Sequence, residues 1–191
     1  MSRARDVASM ASGLKAGGGY PAGHIVQTKF VAFDEQQIIG DGSSTGKTFV
    51  TIGSGVSGKE FSLDMAVSSG NIILGFGTVN LNANGRYSTL KVFSDSDQIA
   101  LGQSNGSMAR VTVSGQIAED STALDQYVMF NSSFSFSYTP SDTNSHTYTI
   151  KAGNVYDNAR LTYINKPHRT NDTGTYMQSG YSHFTIMEIE Q

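Results

Sequence analysis

Residues 60–67, EFSLDMAV, decide the fold. Phe61, Leu63, Met65 and Val67 fall on one side of an extended chain, and Glu60, Ser62 and Asp64 on the other. This is the period-two pattern of a strand with one buried and one wet face, and on a helix the same residues would scatter around the axis. The pattern recurs on both sides. In SHTYTIKA (145–152) it places His146, Tyr148, Ile150 and Ala152 together, and in VMFNSSFSFSY (128–138) it aligns Val128, Phe130, Phe134, Phe136 and Tyr138 against small polar residues. NIILGFGTVNL (71–81) differs, being apolar at both parities. A strand of that kind is expected between a core and a second surface, for which a neighbouring subunit is the candidate, and Ile73, Val79 and Leu81 are the expected interface residues.

Extended outward, the alternation predicts strands near 24–33, 47–52, 60–67, 71–81, 86–94, 97–102, 109–117, 127–138, 145–152, 159–165 and 181–190, nearly all separated by turn signals. So many short strands without a 20–50-residue repeat predict an all-β fold, a two-sheet jelly-roll sandwich over residues 24–191. The one helical pattern precedes it. Val7, Met10, Ala11 and Leu14 stand at i, i+3, i+4 and i+7, and the run GGGYPAG (17–23) follows. Residues 1–23 therefore read as an N-terminal arm with a short helix, which Arg3, Val7, Met10 and Leu14 would dock on another protein.

Composition agrees and excludes much. The 191 residues suit one domain. Charged residues are 15%, against about 25% in an ordinary soluble domain, while Gly numbers 21, which suits Ser/Thr-faced strands joined by tight turns. With no cysteine there is no disulfide, thiolate metal site or cysteine nucleophile. A net charge of −3 gives no electrostatic reason to expect nucleic acid or an anionic membrane as a partner. No apolar run is long enough to span a bilayer, and the first residues lack the apolar segment of a signal peptide, so the expectation is a chain that is neither membrane-inserted nor secreted by that route.

Motifs that suggest chemistry fail on context. GDGSSTGKT (40–48) resembles a phosphate loop, but the spacing requires glycine where Asp41 stands, and a strand pattern follows Lys47. GSGVSG (53–58) satisfies G-x-G-x-x-G yet leads into the period-two stretch, so its glycines read as turn residues and no cofactor is expected. Asp95-Ser96-Asp97 reads as a tight turn rather than a calcium site. His24, His146, His168 and His183 are scattered, and the one metal arrangement open to them is a threefold axis on which a residue such as His183 supplies one ligand per chain. The carboxylates Asp34, Glu35, Asp64, Glu119, Asp120, Asp125, Asp157 and Asp172 show no paired spacing, and no G-x-S-x-G is present. No catalytic residue or metal is therefore expected, and the chain is not expected to be an enzyme.

From PAGHIVQ (21–27) onward, about 170 residues resemble the C-terminal domains of bacteriophage virion structural proteins, in particular tail-fibre proteins of marine and cyanobacterial phages. The resemblance rests on the order of several segments. After PAGHIVQ come NIILGFGTVN, the hairpin YSTLKVFSDSDQIALG, the aromatic strand FSFSYTPSDTNSHTYTIKA with Tyr138, Pro140 and Tyr148, the strand LTYINK, and HFTIMEIEQ with its Met187-Glu188-Ile189 ending. Residues 118–131 are longer and more polar than in such chains, and 166–180 form a long loop. The resemblance implies a jelly roll like those of tumour-necrosis-factor and complement-head domains, assembled as a homotrimer, with no catalytic residues.

Two functions follow as expectations. One is a trimeric tail-fibre or adhesin-type virion protein, held to other virion proteins by the arm. Its loops, bearing Tyr156, Asn158, Arg160, Arg169, Asn171 and Tyr176, would meet a host glycan or protein with the side-chain chemistry of adaptable recognition surfaces. The other is a capsid decoration trimer, a cement or head-spike protein. An arm of about 23 residues is too short for a fibre shaft, which leaves a stubby tip, an adaptor-bound adhesin or a spike. Tail is favoured over head, with assembly in the host cytoplasm.

Overall fold

The computed structural model describes residues 22–40, 48–83, 87–103, 110–116, 129–155, 161–167 and 179–191. The expected arm helix, with Arg3, Val7, Met10 and Leu14, lies outside them. Twelve strands are present among the described residues: β1 (Ile25–Phe33), β2 (Gln37–Ile39), β3 (Phe49–Thr51), β4 (Ser62–Ala66), β5 (Ile72–Ala83), β6 (Tyr87–Ser94), β7 (Asp97–Ile99), β8 (Val113–Gln116), β9 (Phe130–Tyr138), β10 (Ser145–Gly153), β11 (Thr162–Ile164) and β12 (Ser182–Ile189). The sequence anticipates eleven of these. β2 escapes because QII has no polar–apolar alternation and is not flanked by a longer alternating stretch. It exists through its partner, with Gln37, Ile38 and Ile39 opposite Ile164, Tyr163 and Thr162.

Every pairing is antiparallel, and the strands form two six-stranded sheets. In the first, β1 lies beside β12 and β12 beside β5. β9 pairs with the opposite side of β5 from β12 and β11, as Leu81 faces both Phe130 and Ile164. In the second, β10 is central, with β3 and β4 along one side and β6 on the other, and β6 carries β7 and β8. The pairs are nested. β1 joins β12, β4 joins β10, β5 joins β9, and β6 joins its near neighbours β7 and β8.

The alternation read from the sequence is what builds the core between the sheets. Phe61, Met65, Val67, Tyr148, Ile150 and Ala152 are all buried, as are Phe134 and Phe136. Phe184 of β12 is fully enclosed, with the rings of Phe61, Phe134 and Phe136 centred 6.0 to 6.5 Å from its own. Two glycines make room for this aromatic cluster. Gly75 lies between Ile186 and Phe136, and Gly77 between Phe184 and Phe134, all on the inward face.

Candidate interaction surface

The register fixes which side chains of the first sheet point away from the core. Where β1 and β12 take part, four rows cross it: Ala32, His183, Thr78 and Ser133; Phe30, Thr185, Phe76 and Ser135; Thr28, Met187, Leu74 and Ser137; and Ile25, Ile189 and Ile72. None of these is Asp, Glu, Lys or Arg. In the part carried by β1, β12 and β5 eight of the twelve are apolar, the others being Thr28, Thr78, Thr185 and His183, whereas β9 contributes serines to these rows. Phe30 is 57% exposed, Ile25 46% and Leu74 37%. Phe30 stacks on the ring of His183 at 6.4 Å, and the ring of Tyr181, also largely exposed, is centred 6.4 Å from the same histidine. A contiguous apolar face with large rings in water is the usual mark of an interaction site.

This geometry corrects the residues chosen for the interface. Ile73, Val79 and Leu81 are 0%, 0% and 1% exposed and belong to the chain's own core. A period-two pattern separates two faces without saying which is inside. The outward set of the same strand is Ile72, Leu74, Phe76, Thr78 and Asn80, and a neighbouring subunit would meet residues of this set. The glycines hold the missing signal, because Gly75 and Gly77 lie on the inward parity, under rings supplied by β9. The recognition candidates Tyr156, Asn158, Arg160, Arg169, Asn171 and Tyr176 lie outside the described residues.

The tempting motifs take the turn conformations expected of them. Gly53, Gly55 and Gly58 all have positive φ in the turns after β3, and the Gly53 N–H donates to Gln37 Oε1 at 2.9 Å. Asp95 (φ 53°) and Ser96 form the two-residue connection of β6 to β7. His24 is exposed and His183 sits on the outer face, whereas His146 is enclosed between carboxylates. His168 and residues 41–47 lie outside the described residues. Among the described residues no group of three or more His, Asp or Glu side chains is arranged to hold a metal ion.

Three charged groups are organised by the fold. Lys59 bridges Asp34 at 2.7 Å and Glu35 at 2.8 Å on the surface, hydrogen bonds that raise the lysine and lower Asp34 from their ordinary pKa values. Glu188 is 1% exposed, and burial pushes its carboxyl up. Donors from Gln27 (2.6 Å), the Ser68 N–H (2.7 Å) and Asn71 (2.7 Å) outweigh that and hold it below the usual carboxylate range. His146 is raised, chiefly by its bond to Asp95.

Compared with known proteins, the chain matches no protein-family model and no curated protein.

Proposed function

We propose that this chain is a non-enzymatic structural protein of a bacteriophage virion, a jelly roll that assembles as a homotrimer. In this reading it is of tail-fibre or adhesin type. Residues 1–23 dock it to other virion proteins, and loops bearing Tyr156, Asn158, Arg160, Arg169, Asn171 and Tyr176 are presented to the host surface. The nested strand pairing supports the jelly roll, being what a long hairpin rolled into two sheets produces.

The observation that carries the assembly is the outer face of the first sheet. A face without formal charge meets a second copy of itself without like-charge repulsion and offers nothing to select a charged partner. Its exposed rings are of the kind that dominate interface energetics. The number three rests on the resemblance to phage structural proteins.

Labelling the chain in assembled particles and imaging them tests the proposal. Label at the tail supports the adhesin, label over the head the decoration protein, and particles that exclude the chain overturn both.

A further inference from the structure

One end of the sandwich carries two turns that face each other across a cleft of about 60 Å³, lined by Val67–Asn71 on one side and Pro140–Thr143 on the other. They are anchored differently. The β4–β5 turn is held by Glu188, which accepts from the Ser68 N–H and from Asn71 Nδ2 through one oxygen and from Gln27 Nε2 through the other. The β9–β10 turn is internally braced, with Asp142 Oδ1 accepting from the Asn144 N–H at 2.7 Å, and it reaches the sheet through His146.

His146 lies between two carboxylates, its Nδ1 2.7 Å from Asp95 Oδ2 and its Nε2 3.1 Å from Asp142 Oδ1. A neutral imidazole has one N–H and one lone pair, and an ionised carboxylate only accepts. Both contacts are therefore hydrogen bonds only when the ring is an imidazolium. On deprotonation the shorter contact keeps the remaining proton, which leaves the Nε2 lone pair against Asp142 Oδ1. The β6–β7 turn does not depend on this ring. Asp95 Oδ1 accepts from the Thr147 N–H, and the Asp95 N–H donates to the Thr147 carbonyl, each at 2.8 Å. The nearby charges from the other packed elements are Asp64 of β4, which accepts from Thr147 Oγ1 at 2.6 Å, Lys29 of β1, which donates to the Asp64 carbonyl, and Asp97 at the start of β7. Asp95, Asp142, Asp64 and Asp97 outnumber the single cation Lys29, so the surroundings favour the imidazolium, and its pKa lies above the ordinary histidine value.

We propose that His146 is a proton-operated latch: as an imidazolium it fastens the β9–β10 turn beside the β4–β5 turn, and on losing its proton it releases the β9–β10 turn alone and opens the cleft. The β4–β5 turn stays in place because the Glu188 carboxylate that anchors it remains ionised across the same range.

The chain has no cysteine, so Ser69→Cys with Ser141→Cys places two unique spin labels, one on each wall of the cleft. Electron–electron distance measurements on this variant, diluted with unlabelled chain, are compared between about pH 5.5 and about pH 9, either side of the histidine range. The expected result is a single narrow distance that broadens and lengthens as pH rises, with the midpoint at which the His146 ring titrates by NMR. His146→Gln should give the broad distribution at both ends. An unchanged distribution in the parent variant, a midpoint apart from the ring titration, or a persisting step in His146→Gln overturns the latch. Should His146→Gln fail to fold, Asp142→Asn keeps the Asp95–His146 contact and must still abolish the step.

Discussion

The ring of Phe136 fills the space that a side chain on Gly75 would need: a Cβ there would lie 2.2 Å from both Cε1 and Cζ of the ring. The two residues are directly opposed on β9 and β5. Gly77 repeats the arrangement under Phe134, with the added obstacle of the His183 carbonyl at 2.3 Å. Gly75→Ala should therefore cost about 1–3 kcal/mol through overpacking. Gly77→Ala should cost more, because a paired backbone cannot swing aside as a ring can. Urea unfolding measures both, and Phe136→Leu combined with Gly75→Ala should recover part of the loss.

Asn165 is fully buried in the left-handed region at φ 56°. It donates to the carbonyls of Phe33 (2.7 Å) and Glu35 (3.0 Å) and accepts from Ser182 Oγ (2.6 Å). Asn165→Ala strands all three groups and is expected to cost roughly 3 kcal/mol. Asn165→Asp should be as harmful, since a carboxylate has no proton for the two carbonyls. Thermal unfolding that shows either variant near wild type would contradict this role.

Glu188 makes stability depend on acidity. Its folded pKa is depressed, so its contribution is present above the unfolded value and is lost as pH falls toward the folded one. Glu188→Gln can keep an oxygen for Ser68 and Asn71 but sets its own amide hydrogens against Gln27 Nε2 and removes the charge that strengthens all three bonds. It should lose about 1–3 kcal/mol near neutrality and show a shallower acid limb in unfolding free energy against pH. The His146 latch has the opposite sign. Its folded pKa is raised, so its contribution is complete below the unfolded value and disappears as pH rises through the folded one. His146→Gln should flatten that alkaline side, and because the imidazolium also helps hold the Asp95 and Asp142 carboxyls low, it should weaken the acid limb as well.

On the outer face, Leu74→Lys combined with Phe30→Asp replaces side chains that are 37% and 57% exposed, so the sandwich should stay folded and soluble while its association, and the share of its melting temperature that depends on chain concentration, is lost. Ile186→Asp, at 0% exposure, should instead cost several kcal/mol and yield insoluble chain. Light scattering and melting curves for the two variants separate interface from core.

Alternation is local, which is why Phe61 to Val67, Tyr148 to Ala152 and Phe134 to Tyr138 were legible as strands before any partner was known. The inside of β5 was not legible, because it is decided by rings arriving from β9 some 60 residues later in the chain. The same holds for Asn165. LTYINK reads as an ordinary strand, yet the asparagine ends β11 and reaches carbonyls 130 and 132 positions earlier. His146 reads as one more scattered histidine because Asp95, 51 residues away, is brought to it only by the pairing of β6 with β10.

Sedimentation equilibrium of the intact wild-type chain at micromolar concentration tests the central claim most directly, that the uncharged outer face of the first sheet is covered by other copies of the chain. The predicted result is a single species at three times the 20.4 kDa chain mass. A stable monomer that leaves Phe30, Phe76 and Leu74 facing water would contradict it.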